Sequence, residues 1–87
     1  MPSIDIYTTN QCPYCKYAKD LLSSKGVDFN ELNLDQDKKL RAQMITRKAG
    51  LRSVPQIFID DQHIGGYDDL VALDKNGELD VLLNSSV

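Results

Sequence analysis

Apolar and polar residues alternate near the start of the chain, and this pattern predicts a β-strand over residues 3–9. After the strand, apolar residues recur at helical spacing. The helix is expected to begin at Pro13, where the missing N–H group is no loss, and to end before Gly26. A further apolar stretch over residues 27–34 predicts a second strand.

The second half of the chain continues with a mixture of helices and strands. A helix is predicted from Asp35, as its N-cap, to about residue 48. A polar turn separates an apolar stretch at residues 55–59 from a shorter one at residues 63–65. We interpret these two stretches as the strands of a hairpin.

The last predicted elements are helical. A short helix begins at Asp68 or Asp69, either of which could be its N-cap, and residues 79–83 form one or two further amphipathic turns. The order β-α-β-α-β-β-α predicts an α/β fold in which the first two strands are parallel. The length of 87 residues indicates one domain that spans residues 1–87.

Charged residues make up 26% of the chain and leave a net charge of −3, which favours neither a nucleic-acid partner nor a membrane surface. No stretch approaches the roughly 20 apolar residues of a membrane span. The N-terminal residues also lack the basic and apolar regions of a signal peptide. We therefore expect a cytoplasmic protein, and we expect it to be a monomer.

The two cysteines of the chain, Cys12 and Cys15, lie three positions apart. In a reducing compartment such a pair is more often catalytic or metal-binding than a structural disulfide. A zinc site usually needs about four ligands, and this chain adds only the distant His63. We therefore expect no metal site within one chain, while a cluster shared between two chains stays open as an alternative.

The cysteine pair falls at the predicted start of the first helix, with Cys12 before the helix and Cys15 in its first turn. Free N–H groups and the helix dipole stabilise an anion there, and Lys16 and Lys19 add positive potential. Such surroundings lower a thiol pKa from ~8.5 into a range of roughly 3.5–7.5. Cys12 is then the expected nucleophile, and Cys15 the thiol that resolves a mixed disulfide.

Other candidate residues each have a plainer interpretation. Tyr14 is either a core residue of the helix or an aromatic wall beside the reacting sulfur. Pro55 is compatible with the start of a strand. Only about 5–6% of peptide bonds before proline are cis in folded proteins, so a trans peptide is favoured there. Residues 65–69 suit an ordinary glycine turn with an N-cap aspartate, although a helix start also attracts a carboxylate. His63, in a hairpin turn, is expected to be exposed and without chemistry.

Four segments, in order and at matching spacing, resemble those of the dithiol glutaredoxins, in particular short bacterial members of the glutaredoxin 3 type. They are the strand at residues 4–8, Cys-Pro-Tyr-Cys at residues 12–15, Ser-Val-Pro-Gln-Ile-Phe-Ile at residues 53–59 and His-Ile-Gly-Gly-Tyr-Asp-Asp-Leu at residues 63–70. The resemblance implies a thioredoxin-like α/β fold, in which a four-stranded mixed sheet is flanked by helices on both faces.

The resemblance also implies a glutathione groove and a cis peptide before Pro55. Family members pair the glutathione cysteine with the backbone at the position of Val54, and they hold the γ-glutamyl carboxylate at the start of the helix near Gly66. The glutathione-binding residues implied in this way are Tyr14, Thr9, Arg52, Ser53, Val54, Pro55, Gly66, Tyr67, Asp68 and Asp69.

One position departs from the family pattern. Many members carry a lysine, which contacts the glycine carboxylate of glutathione, at the position that Thr9 occupies here. Arg52 could supply a substitute cation, and a bidentate one. We treat Arg52 as a hypothesis for this contact.

The activity implied by the resemblance is thiol–disulfide exchange with glutathione as the reducing cosubstrate. Its substrates are protein disulfides and glutathionylated thiols, and the family suggests ribonucleotide reductase among them. A carrier of an iron–sulfur cluster is disfavoured, because Pro13 and Tyr14 stand where such relatives have small residues. A thioredoxin is disfavoured because the chain has no tryptophan and has Pro-Tyr, not Gly-Pro, between its cysteines.

Overall fold

The computed structural model describes residues 3–47 and 53–84. In chain order its elements are β1 (Ile4–Thr8), α1 (Pro13–Ser24), β2 (Asn30–Asn33), α2 (Lys39–Arg47), β3 (Gln56–Ile59), β4 (Gln62–Gly65), α3 (Tyr67–Lys75) and α4 (Glu78–Asn84). The predicted order is confirmed as far as α3. The last amphipathic turns form a helix of their own, α4, because the turn at Asn76 and Gly77 separates them from α3.

The strands form one mixed sheet in the order β2-β1-β3-β4. Strand β1 is parallel to β2, as predicted for the first β-α-β unit, and antiparallel to β3. Strands β3 and β4 form the predicted hairpin. The two central strands, β1 and β3, are therefore covered by neighbours on both edges, and their ends set the position of the residues that follow them.

Helices cover both faces of the sheet, as the resemblance implies. Side chains alternate along a strand, so Ile4 and Ile6 of β1 face one side and Tyr7 faces the other. The first side packs against α1, α3 and α4, and the second against α2. The residues buried on the first side are Ile4, Ile6, Ala18, Leu22, Ile57, Ile59, Leu70, Leu79 and Leu83.

The second strand and the second helix are shorter than predicted. Strand β2 occupies only Asn30–Asn33, and α2 begins at Lys39 rather than after Asp35. Asp35 does not cap α2, because its carboxylate accepts a hydrogen bond of 2.7 Å from the N–H of Asn10. Asp37 instead accepts from the N–H of Lys39 at 2.9 Å, so a contact between loops decided where the helix starts.

The start of α3 also differs from the prediction. Its N-cap is Gly66, not Asp68 or Asp69. The carboxylate of Asp69 accepts a hydrogen bond of 3.0 Å from the N–H of Gly66, which is the acidic half of a capping box. The helix therefore begins directly after β4, and its first turn lies at the end of the β3–β4 hairpin.

Candidate active site

The structure places Cys12 at the N-cap of α1 and Cys15 in its first turn, as predicted. Pro13 occupies the first helical turn, where its missing N–H costs nothing. The N–H of Cys15 donates a hydrogen bond of 3.1 Å to the Sγ atom of Cys12. The two cysteines form a disulfide, with their Cα atoms 5.2 Å apart.

The two sulfurs differ in their access to solvent. Cys15 is only 1% exposed, because the helix turns its side chain into the core, whereas Cys12 is half-buried at the protein surface. The Sγ atom of Cys12 lies 3.8 Å from the carbonyl oxygen of Val54, on the segment before β3. A reacting partner can therefore approach Cys12, beside Val54, but not Cys15.

The positive charges predicted beside the pair are only partly available. Lys16 is exposed, but Lys19 forms an ion pair of 3.0 Å with Glu31 of β2. Burial by itself raises the pKa of Glu31, but the hydrogen bonds from Thr8 and Lys19 outweigh it and hold the pKa below its ordinary value. Glu31 therefore stays charged and compensates the charge of Lys19.

A cleft of about 390 Å³ opens beside the cysteine pair. It brings together three segments that are distant in the sequence: the first turn of α1, the segment before β3, and the junction of β4 with α3. The lining residues are Tyr14, Ser53, Val54, Pro55, Gln56, His63, Gly65, Gly66, Tyr67, Asp68 and Asp69. Most of the residues that the resemblance assigned to glutathione thus lie along one cleft.

The peptide between Val54 and Pro55 is cis. The implication of the resemblance is confirmed, and the trans peptide favoured by base rates is wrong. Pro55 is buried, while Val54 is half-buried and lines the cleft.

Three residues of the cleft lining were not predicted as site residues from the sequence: Gln56, His63 and Gly65. Gln56 is 3% exposed, and its amide joins the Nε2 atom of His63, at 2.6 Å, to the Oγ atom of Ser53, at 3.1 Å. The expectation that His63 is exposed is wrong, because its ring packs 5.0 Å from that of Phe58. A polar Gln at the start of an apolar strand was the available signal, since a buried amide needs partners.

Tyr14 is 58% exposed, so its interpretation as a core residue is wrong. Its ring lines the cleft together with Tyr67, and the two ring centroids are 6.0 Å apart. Helical spacing alone could not distinguish the two interpretations, because Tyr14 lies on the edge of the apolar face of α1.

Two expected glutathione residues remain, Thr9 and Arg52. Thr9 is half-buried directly after β1 and is absent from the cleft wall. Arg52 lies outside the described residues, so the hypothesis that it replaces the family lysine stays a prediction.

Within residues 3–47 and 53–84, no group of three or more histidine, cysteine or acidic side chains is arranged to hold a metal ion. In the same part of the chain no helix is both long and apolar enough to cross a membrane.

A cysteine pair at a helix start, with one buried and one accessible sulfur beside a cis-proline and a cleft, defines a thiol–disulfide oxidoreductase. Residues 4–64 match the family model described as glutaredoxin. The chain belongs to the glutaredoxin family, and it is an enzyme of thiol–disulfide exchange.

Relatives support the family over nearly the whole chain. The chain is 59% identical to glutaredoxin 3 of Escherichia coli (strain K12) over 83 residues, which are 95% of this chain and 99% of that protein. The solution structure of glutaredoxin from Brucella melitensis is 46% identical, with a TM-score of 0.81 over 100% of this chain and 95% of that one.

A crystal structure of a buckwheat glutaredoxin–glutathione complex is 28% identical, with a TM-score of 0.86 over 97% of this chain and 78% of that chain. Glutaredoxins have the thioredoxin fold, so these neighbours confirm the fold class that the resemblance implied.

Proposed function

We propose that this chain uses glutathione to reduce protein disulfides and mixed disulfides between glutathione and other thiols. One observation carries the proposal: Cys12 lies half-buried at the start of α1, with its Sγ atom 3.8 Å from the carbonyl oxygen of Val54 in the cleft wall. The buckwheat relative is described in complex with glutathione, which supports the cleft as the binding place.

Cys12 is the nucleophile in this proposal. The N–H of Cys15 and the dipole of α1 both stabilise negative charge on the Sγ atom of Cys12. Cys15 is too deeply buried to meet a protein disulfide first. It lies one turn along the helix, however, where its thiolate reaches the sulfur of Cys12.

The proposed reduction of a protein disulfide proceeds by successive thiolate attacks. The Cys12 thiolate attacks one substrate sulfur, forms a mixed disulfide and releases the other sulfur as a thiolate. The Cys15 thiolate then attacks the Sγ atom of Cys12, releases the second substrate thiolate and leaves the Cys12–Cys15 disulfide. These two steps oxidise the cysteine pair and reduce the substrate.

Two glutathione molecules restore the enzyme. The first glutathione thiolate attacks the Sγ atom of Cys12, forms a Cys12–glutathione disulfide and releases the thiolate of Cys15. The second attacks the glutathione sulfur, so that oxidised glutathione leaves and Cys12 is again a thiolate. A glutathionylated substrate enters at the Cys12–glutathione stage and therefore needs Cys12 alone.

The cleft offers glutathione two kinds of backbone contact. In our proposal, Ser53, Val54 and Pro55 bind its cysteine, with backbone pairing at Val54. The γ-glutamyl carboxylate binds at the start of α3, whose first N–H groups have no partner within the helix. Because Asp69 already accepts from the N–H of Gly66, we assign this contact to the N–H groups of Tyr67 and Asp68.

Two cysteine variants test the proposal. We expect Cys12→Ser to abolish both activities, because no other described thiol is accessible to substrate. We expect Cys15→Ser to keep the reduction of a glutathionylated small thiol and to lose the reduction of a protein disulfide. The measurement is glutathione-dependent turnover of both substrates, followed by the oxidation of NADPH through glutathione reductase.

Substantial activity in Cys12→Ser would remove the assigned nucleophile. Full protein-disulfide reduction by Cys15→Ser would remove the resolving step. Turnover of the oxidised wild-type protein by a thioredoxin reductase, with none by glutathione, would overturn the choice of reductant.

The family also suggests the setting in which this chemistry operates. We propose a monomer of one domain over residues 1–87 that passes electrons from glutathione to cytoplasmic proteins and so maintains the redox state of their thiols. Ribonucleotide reductase is a proposed substrate, on family grounds alone. The Cys15→Ser variant traps substrates as mixed disulfides in a lysate, and the absence of ribonucleotide reductase among them would argue against it.

A further inference from the structure

Three tyrosines form a closed cluster on the protein surface beside the cysteine pair. Tyr14 and Tyr17 lie one turn apart on α1, and Tyr67 begins α3. Their ring centroids are separated by 6.1 Å (Tyr14 to Tyr17), 6.0 Å (Tyr14 to Tyr67) and 5.9 Å (Tyr17 to Tyr67). Each ring therefore contacts both of the others, and we call this cluster the tyrosine triad.

Two of the three tyrosine rings are exposed, and the third, that of Tyr67, is half-buried. Tyr14 is 58% and Tyr17 is 50% exposed, and with Val81 they are the large apolar side chains exposed in the described part of the chain. Clusters of exposed aromatic rings are typical of surfaces that bind another protein.

The glutathione cleft accounts for only part of the triad. Tyr14 and Tyr67 line the cleft, but Tyr17 does not. Tyr17 packs against both of these rings and is itself exposed, so the aromatic surface extends beyond the cleft along α1. A ligand that fills the cleft would leave Tyr17 uncovered.

The proposed reaction indicates which molecule binds the part of the triad that glutathione leaves uncovered. When a glutathionylated protein reacts, glutathione occupies the cleft, and the protein thiolate is the group that leaves as the Cys12–glutathione bond forms. The protein chain on either side of that thiol must then lie next to the cleft rather than in it. The triad is continuous with the cleft wall, and its member Tyr14 lies beside Cys12 in the first turn of α1.

The chemistry of the triad favours an apolar partner. Tyr17 is flanked on α1 by Lys16 and Asp20, and Tyr67 is followed by Asp68, so charges of both signs surround the rings. Because their signs are mixed, these charges favour neither a positively nor a negatively charged segment of a substrate protein. The rings support one another and lose little conformational freedom on binding, so they suit aliphatic or aromatic side chains.

We infer that the tyrosine triad binds the polypeptide that flanks the reactive cysteine of a protein substrate, and that Tyr17 selects substrates with an apolar side chain beside that cysteine. The inference rests on the proposed glutathione-dependent function. Tyr17 thereby distinguishes protein substrates from one another without contacting glutathione.

Three glutathionylated peptides test the inference. They are identical except for the residues on both sides of their single cysteine, which are leucine, serine or lysine. The mixed disulfide of glutathione with 2-mercaptoethanol serves as a substrate without a polypeptide. The measured quantity is kcat/KM for each substrate with the wild type, Tyr17→Ala, Tyr17→Phe and, as a control for loss of an exposed apolar side chain, Val81→Ala.

We expect the wild type to prefer the leucine peptide over the serine peptide, and Tyr17→Ala to reduce this preference roughly three- to tenfold, which is the effect of losing one aromatic contact. Tyr17→Phe, which keeps the ring, should retain most of the preference. Val81→Ala should keep it entirely, because Val81 lies on α4, outside the triad.

Several outcomes would overturn the inference. A wild type without a preference, or with one for the lysine peptide, contradicts the apolar partner. If Tyr17→Ala lowers kcat/KM equally for all substrates, Tyr17 only stabilises the structure of the cleft. A wild-type dimer in sedimentation that Tyr17→Ala dissociates assigns the surface to a second copy. Failure of the wild type on the 2-mercaptoethanol substrate, by contrast, would contradict the proposed function itself.

Discussion

Gly65 leaves the space that the carboxylate of Asp69 occupies. A Cβ atom at Gly65 would overlap the Oδ2 and Cγ atoms of Asp69, and the φ angle of Gly65, +117°, is one that L side chains rarely adopt. The Asp69 carboxylate thus reaches the N–H of Gly66, at 3.0 Å, and closes the first turn of α3. The junction of β4 with α3, which forms one wall of the cleft, depends on this fit.

We therefore expect Gly65→Ala to destabilise the protein by roughly 3 kcal/mol, since it combines backbone strain with an overlap that displaces Asp69. The control is Gly26→Ala, where φ is +73° but a Cβ would meet nothing within 4 Å. Strain alone should cost that variant roughly 1–2 kcal/mol. Urea unfolding of the oxidised proteins measures the free energy of unfolding of both variants. An equal decrease in the two variants would contradict the role of Asp69.

The charge of Glu31 should stabilise the fold in a pH-dependent way. Its pKa in the folded protein is below the ordinary value of 4.5, so its contribution is present above that pH and is lost as the pH falls through the folded pKa. Both partners of the Lys19–Glu31 pair are about one third exposed, at 31% and 34%, so the charge contributes below about 1 kcal/mol.

The corresponding measurement is the difference in unfolding free energy between the wild type and Glu31→Gln from pH 7 to pH 3. We expect the difference to shrink as the pH falls, and to shrink at neutral pH when salt is added. Asp28→Asn, which removes a carboxylate from the exposed loop before β2, is the control. A difference that is the same at both pH values would assign the effect to the hydrogen bond from Thr8.

The hypothesis for Arg52 concerns the binding of glutathione. If its guanidinium replaces the lysine that Thr9 displaces, Arg52→Ala should raise the KM for glutathione roughly three- to tenfold and leave kcat nearly unchanged. Thr9→Lys should restore part of the loss. Arg41→Ala on α2 removes the same charge away from the cleft lining and serves as the control.

An unchanged KM in Arg52→Ala would remove Arg52 as the substitute cation. If Arg41→Ala raised the KM equally, the effect would belong to the net charge of the protein rather than to a contact in the cleft.

Local rules in the sequence predicted the elements and the cysteine site well. Pro13 and the helical spacing after it placed Cys12 and Cys15 at the start of α1, because helix starts depend on a few neighbouring residues. Alternation predicted β1 and its burial for the same reason. The resemblance, rather than these rules, supplied the cis peptide at Pro55.

Where local rules failed, a contact from another segment was decisive. Asp35 and Asp37 are equally good caps by residue type, and the choice depended on Asn10, which takes the carboxylate of Asp35. The partial burial of His63 depends on its contacts with Gln56 and Phe58 of the neighbouring strand. Such partners are distant in the sequence, so no short pattern contains them.

By itself the sequence determined the order of the elements, the start of α1 and the reactive pair, because periodicity, proline geometry and spacing act over a few residues. Only the tertiary structure decided which sulfur is accessible and what lies around it. The sheet brings the segments before β3 and after β4 beside the first turn of α1. Burial then hides Cys15 and leaves Cys12 and the tyrosine triad at the surface, because packing depends on all of these segments at once.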